Sequence, residues 1–598
     1  MADTPFNLLK LPAVFEPSVY ASVVYDSDPG IAAPNNRYLL TGYFTAGYQA
    51  VSDVPVRVLS QADADVLFGP KSMLSHAYAA AKKQIAVGAE VWALPLTAPS
   101  SGSAQVINVE IVAEPALGVL GAGTAALSAD TVSLRLRGRG VTVGFKQSDD
   151  FATIATAIET AWNKLSDAPA TIGRSTAALT LTAPHKGDFD NGAVEVTFGS
   201  AGLSGVAAKM GTMTVANAAG ATGTCVISDG SKSVTVSVTN GDAATATGTA
   251  IVTKINSTSL KIRAAQPSSP TGTVTLFYVN GRSVRPLQVS STETGLSGQT
   301  VTDAVGTAGV GVPTLTTALA NIAAMDDSFK AWSLFFRSTT ELGSIASHLV
   351  AQAAPQVGKG QVAIFAQAVS YAAMASANLP ASTSPRLDAY TRFVTLLAQC
   401  SPNAEWELSA RYCAAVAAET YVSRSWNGLE LIGDDIAPCP AIHPADRLSL
   451  DERNAAIGTY HTAPVVVNSA GRLAVSWGGN TYAPRGAKDG KLVKLSTTLT
   501  LDYFSYDLTR YLASLFAGKK IKISGQPRTS NAVTPNGVKA AVYRWCVRMD
   551  EADLFDGAEK ARDAIMAAVV LSPTRLDINV PWTTLADLDI LAVSGLAG

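Results

Sequence analysis

Helix and strand patterns alternate on both sides of a long stretch that does not share them. The break comes at Thr97-Ala98-Pro99-Ser100-Ser101-Gly102-Ser103, a run of turn-forming residues. From there to about residue 302 the chain is rich in Thr, Val, Gly and Ser and reads mostly as strand. Such a stretch between two α/β segments predicts a unit inserted into a loop of one α/β domain.

The stretch also repeats. Val141-Thr142-Val143 aligns with Val234-Thr235-Val236, an offset of 234 − 141 = 93. The same offset pairs Asp149 with Asp242, Ala157 with Ala250, Ile158 with Ile251 and Asn163 with Asn256. Each copy reads as two strands around a turn (Gly138-Arg139-Gly140; Asp229-Gly230-Ser231), then a helix. A further strand follows, Leu179-Thr180-Leu181-Thr182 in one copy and Leu260-Lys261-Ile262-Arg263 in the other. Two tandem copies of a small α+β module are expected, over about 104–205 and 210–300.

Before the break, Tyr38-Leu39-Leu40-Thr41-Gly42 and Glu90-Val91-Trp92-Ala93-Leu94-Pro95-Leu96 read as strands. Between them Ser60 caps a helix over 62–68, and an Ala-rich helix runs from Ser72 to Ala86. After 303, a helix is predicted over 313–323 with Pro313 in its first turn, and another from a Thr339 cap to Gln352. Strands are predicted at 330–336, 362–366 and 392–397. A helix over 404–421 carries Trp406, Ala410, Cys413 and Ala417 on one stripe. This alternation argues for a mainly parallel sheet covered by helices.

The last 150 residues read differently. A capped helix at Ser449-Leu450-Asp451-Glu452 precedes a hairpin over 465–475. Leu501, Phe504, Leu508, Tyr511, Leu512 and Leu515 then share one face of a core-facing helix. Thr534-Pro535 opens another, on which Val538, Val542, Trp545 and Met549 recur at helical spacing. Asp550, Glu551 and Asp553 stand at its C-terminal end, unfavourably for the helix dipole, so a basic neighbour is expected. Both chain ends read as extended arms. Pro5, Pro12 and Pro17 interrupt the apolar Phe6, Leu8, Leu11, Val14 and Phe15. In the tail, Leu576, Ile578 and Val580 alternate with Arg575, Asp577 and Asn579, and Leu588 and Ile590 extend its apolar set. A terminal strand needs an edge to pair with, its own sheet's or a neighbour's.

At 598 residues the chain should divide into three or four domains. A formal charge of −2 leaves no footprint for nucleic acid, and the apolar runs fall short of a membrane span. The start, Met1-Ala2-Asp3-Thr4-Pro5, lacks the blocks of a signal peptide. The cysteines (225, 400, 413, 439, 546) are scattered without CxxC spacing, so free thiols are expected rather than a metal site; a disulfide between subunits stays open. His76 and His348 fall on helices and read as packed or solvated. His443 and Cys439 stand near each other without a context for nucleophilic catalysis. There is no GxSxG, HExxH or Walker-type loop, and Gly486-Ala487-Lys488-Asp489-Gly490-Lys491 reads as a surface turn. Neither catalytic residues, cofactor nor metal are expected.

The order of Val91–Leu96, Asp446-Arg447-Leu448-Ser449-Leu450-Asp451-Glu452-Arg453-Asn454 and the Thr534-Pro535 helix resembles the contractile tail sheath proteins of Mu-like phages. Tyr506-Asp507-Leu508-Thr509-Arg510 is similar to that family's "YDLR..L" helix, with one Thr inserted. The resemblance covers about 20–96 and 303–598. It implies a tail-sheath (subtilisin-like) α/β core, split over 21–100 and 303–445, around the two-copy α+β/β-rich insertion at 101–302, which would face outward. A smaller C-terminal α+β domain (446–570) and linking arms at 1–20 and 571–598 complete it. The implied role is a structural subunit that stacks as hexameric rings, a helical sheath around an inner tail tube, and contracts to drive the tube through a host envelope for genome delivery. Implied partners are further copies of the chain, the inner tail tube protein, and baseplate and tail terminator proteins, with no nucleic acid and no membrane insertion. The implied location is the virion tail, after assembly in the bacterial cytoplasm. A phage-derived injection device (tailocin) fits the same residues, and a hydrolase with β-rich accessory modules is the competing class.

Overall fold

The computed structural model describes residues 36–585, apart from 85–88, 117, 189–190, 201–202, 326–327, 355–356, 419–424, 484–491, 523–530, 570–575 and 581–583; of 566–569 and 576–577 it describes the backbone. The turn predicted over 486–491 lies outside the described residues.

The chain is a mixed α/β protein with several sheets. The largest has nine strands, in the order Leu429–Glu430, Leu473–Val475, Ala463–Val467, Phe393–Leu397, Val362–Gln367, Ala331–Leu334, Arg37–Tyr43, Glu90–Leu96 and Val56–Val58. Neighbours run parallel from Ala463–Val467 to Glu90–Leu96 and antiparallel at both ends. A parallel sheet covered on both faces needs strands that are apolar throughout. Val362–Gln367 and Phe393–Leu397 are buried at every position. Leu39 stands between Trp92 on one neighbouring strand and Trp332 on the other. Arg37–Tyr43 thus pairs with one strand that precedes the Thr/Val-rich stretch and one that follows it.

Several elements depart from the periodicity. The helix expected over 313–323 is Thr316–Ala324, and Pro313 precedes it. Ser338, not Thr339, caps the next helix, accepting from the Glu341 N–H. The helix expected from 501 begins at Leu495, because the polar Ser496, Thr497, Thr498 and Thr500 are buried against the α/β core with Leu495 and Leu499. Helix Glu405–Ala418 was expected to bury a stripe, yet it is buried all round from Glu405 to Ala417. Helix Met73–Gln84 and the sheet pack on it. Arg139 and Arg285 of the Thr/Val-rich stretch reach the acids of its first turn.

Residues 104–307 form three sheets around a core of their own. The hairpin Asp130–Leu136/Arg139–Phe145 with helix Phe151–Trp162 recurs 93 residues on as Gly223–Ser228/Ser233–Val238 with helix Ala244–Asn256. The first hairpin turns through Arg137 (φ 57°) and Gly138 (φ 80°), the left-handed pair that a two-residue hairpin turn requires. The equivalence reaches single hydrogen bonds. The Asp149 carboxylate accepts from the Lys146 N–H and that of Asp242 from the Thr239 N–H, each at 2.7 Å. Leu127 N–H donates to the Ser204 carbonyl as Gly220 N–H does to that of Ser297. The copies join edge to edge: Ala104–Ala113 pairs antiparallel with Val206–Ala216, setting Glu110 opposite Lys209, whose ammonium lies 2.7 Å from it.

Buried ion pairs fix this β-rich unit to the α/β core. Arg139, 5% exposed, reaches Glu407 at 3.2 Å and Asp167 at 2.8 Å. Arg285 and Arg337 both approach Glu405, at 3.3 and 3.2 Å. Arg282 grips Asp446 with two nitrogens, at 2.6 and 3.1 Å. Buried charges persist only when paired and hydrogen-bonded, so these contacts define one relative placement of the two units.

Candidate assembly site

The C-terminal body is built from the second half of helix Leu495–Phe516, helix Pro535–Glu551 and the short helix Ala558–Arg562. Val538, Val542, Trp545 and Met549, which the spacing put on one face, are all buried. The Phe504 ring meets that of Trp545 edge-on at 5.3 Å and lies 5.9 Å from Phe555. Asp507 is buried in this apolar surround and accepts from Trp545 Nε1 at 2.7 Å; the Arg548 guanidinium lies 3.8 Å from it and stacks over the Tyr511 ring. The sequence marked Asp507 only as part of a motif, since its partner is 38 residues away.

One of the acids closing helix Pro535–Glu551, Asp550, has a partner within the chain. The Asp550 carboxylate accepts from the Gly557 and Ala558 N–H groups, at 3.4 and 3.1 Å. An acid misplaced for its own helix dipole serves the N-terminus of the next helix.

Beyond that helix the chain forms a hairpin. Met566–Val569 pairs antiparallel with Leu576–Asn579, setting Val569 opposite Leu576 and Ala567 opposite Ile578. Ile578 is half-buried against the body and Val580 belongs to its core. Thr584 bridges back to Phe555. The hairpin is a two-stranded sheet, and among the described residues neither outer edge carries a further strand. An open edge is a row of unpaired N–H and C=O groups, a template for another extended segment. Phe6, Leu8, Leu11, Val14, Phe15, Leu588 and Ile590 lie outside the described residues.

No protein-family model and no curated protein matches the chain. Among solved structures it is similar to the sheath tail protein of Desulfitobacterium hafniense, at 11% identity and a TM-score of 0.40, over 94% of this chain and 98% of that one. It is also similar to the sheath of an extracellular contractile injection system in its contracted state, at 12% identity and a TM-score of 0.31, over 46% of this chain and 72% of that one. A flagellar cap protein from Escherichia coli matches at 11% identity and a TM-score of 0.11, over 43% and 55% of the two chains.

The groups examined for catalysis are engaged structurally. His76 is buried with Nε2 3.1 Å from the Asp167 carbonyl; burial first, then the charge of Arg139, hold its imidazole well below the ordinary range. His348 packs against Trp332, and burial holds it at about 4. His443 Nδ1 accepts from the Ala445 N–H, which orients it along its own turn. Burial pushes the Cys439 thiol up, away from the thiolate a nucleophile needs. All five cysteines are free. Among the described residues no group of three His, Cys, Asp or Glu is placed to hold a metal ion, and no helix is long and apolar enough to cross a membrane.

Proposed function

We propose that the chain is the structural, non-catalytic subunit of a contractile sheath, polymerising through exchange of its terminal segments. The observation that carries this reading is the hairpin at 566–569 and 576–579. It packs on the C-terminal body through Ile578 and Val580, and its outer edges are open among the described residues. Strand addition at such an edge supplies main-chain hydrogen bonds, while Ile578 and Val580 hold the hairpin on its own body. The arms comprise Phe6, Leu8, Leu11, Val14 and Phe15 at one end, and Leu576, Ile578, Val580, Leu588 and Ile590 at the other.

In this reading the protein stacks as hexameric rings around an inner tube, as the resemblance to Mu-like phage sheaths implies. The two-copy module at 101–302 stands as an insertion in the α/β core and faces outward. Contraction needs no nucleotide: the extended lattice is a metastable packing, and the arms keep subunits connected while flat interfaces exchange. The tube, baseplate and terminator are the partners, and the virion tail is the location. Deletion of 1–20, and truncation after residue 585, which keeps the hairpin and Val580 in its core, should each leave a folded chain that no longer polymerises; normal tubes from both would rule the exchange out.

A further inference from the structure

Helix Leu495–Phe516 belongs to two hydrophobic cores at once. Leu495 and Leu499 pack in the α/β core, whereas Tyr503, Phe504, Leu508 and Tyr511 pack in the C-terminal one. Asp502 sits at the crossing. Its carboxylate takes both ends of the Arg392 guanidinium, at 2.7 and 2.8 Å, in the parallel two-bond geometry that Arg and carboxylate favour. Arg392 directly precedes the sheet strand Phe393–Leu397 and also donates to the carbonyl of Gln361, which directly precedes the neighbouring strand Val362–Gln367. The pair therefore ties the helix to the ends of two adjacent parallel strands.

A glycine makes room for it. A Cβ on Gly360 would stand 2.3 Å from the Asp502 carboxyl carbon and 2.4 and 2.5 Å from its oxygens. The backbone at Gly360 does not need φ above zero, so the position is specified by the space the carboxylate occupies. The helix just before this point is intrinsically weak. Ser496, Thr497, Thr498 and Thr500 are poor helix formers, three of them β-branched, and Lys494 at the N-cap gives no side-chain cap. Thr498 Oγ1 is held from outside, by the Thr391 carbonyl and the Asn480 amide, each at 3.3 Å.

We propose that Arg392–Asp502 is a latch that fixes the angle between the α/β body and the C-terminal body, with the Thr-rich turns at 495–500 as the pivot it restrains. Closed, the latch holds those turns helical and sets where the paired strands 566–569 and 576–579 point. Opened, it lets the C-terminal body swing while each core stays packed. The pair is partly exposed, at 16% and 23% of its side chains, so a competing charge or salt can reach it. The inference concerns the single chain and does not rest on the sheath reading.

Hydrogen–deuterium exchange on the full chain tests it, comparing the unaltered protein with Gly360→Ala, Asp502→Asn and the charge swap Arg392→Asp/Asp502→Arg. Gly360→Ala and Asp502→Asn should raise exchange at 495–503 by about tenfold or more while 362–367 and 538–549 keep their protection, and the swap should return 495–503 toward the unaltered rate. The unaltered chain gives a check without substitution: raising salt from about 0.05 to about 1 M, where the screening length falls to about 3 Å, should raise exchange in the same segment. Unchanged exchange at 495–503 in Gly360→Ala, or a rise spread evenly over the chain, overturns the latch.

Discussion

Asp150 and Ala243 are the N-cap residues of two helices, 243 − 150 = 93 residues apart, each of which follows a β-hairpin, and only Asp150 caps its helix with a side chain. Its carboxylate accepts from the Thr153 N–H at 2.6 Å, whereas Ala243 shares its backbone conformation (φ −66°, ψ 155°) without an acceptor. Ala243→Asp should therefore stabilise the β-rich unit, and Asp150→Ala should destabilise it, because one gains and the other loses a side-chain acceptor at the helix start. Denaturant midpoints of the two variants check both signs.

The Asp507–Trp545 hydrogen bond should be the costliest side-chain contact to lose in the C-terminal body. Asp507→Ala removes the acceptor of the buried indole N–H and the carboxylate beside Arg548, and should destabilise that body by about 1–3 kcal/mol. Hydrogen exchange at 538–549 through the denaturation transition reads it locally. A midpoint equal to that of the unaltered chain would mean that the indole finds another partner.

Glu407→Ala should be worse for the chain than removing both partners. It leaves Arg139 buried with Asp167 as its remaining carboxylate, so the loss should stay below about 3–5 kcal/mol, the cost of a buried charge left wholly unpaired. In the double variant Arg139→Ala/Glu407→Ala the loss should fall short of the sum of the single losses, which a double-mutant cycle measures directly.

Acid should weaken the α/β core through His348. Burial holds its imidazole at about 4, below the ordinary 6.5, so between those values the unfolded chain binds a proton that the folded chain refuses. The stability this group contributes is complete above pH 6.5 and is lost as pH falls toward 4. His76 shifts in the same direction, by burial and then by Arg139. His348→Gln should flatten the fall in melting temperature over that window; an unaltered slope would place the sensitivity elsewhere.

What the sequence disclosed was local. Apolar runs such as Val362–Gln367 announced buried strands, and the 93-residue offset announced equivalent elements down to Asp149 and Asp242, because both are written within a few residues. What joins distant segments left no such trace. Glu110 meets Lys209, and Arg282 meets Asp446, across 99 and 164 residues. The start of helix Leu495–Phe516 was missed because its Thr-rich turns contradict helix propensity and are held by the α/β core instead. Asp550 is misplaced for its own helix, but it accepts from the Gly557 and Ala558 N–H groups seven and eight residues on, a partnership that no local pattern marks.

The sheath reading is tested most directly by negative-stain electron microscopy of the full chain, concentrated in about 0.15 M salt, a near-physiological screening condition. Hollow, striated cylinders are expected, and they should disappear when residues 586–598, beyond the hairpin and the core residue Val580, are removed. Dispersed single particles at every concentration, also with an inner tube and baseplate supplied, would contradict the sheath reading.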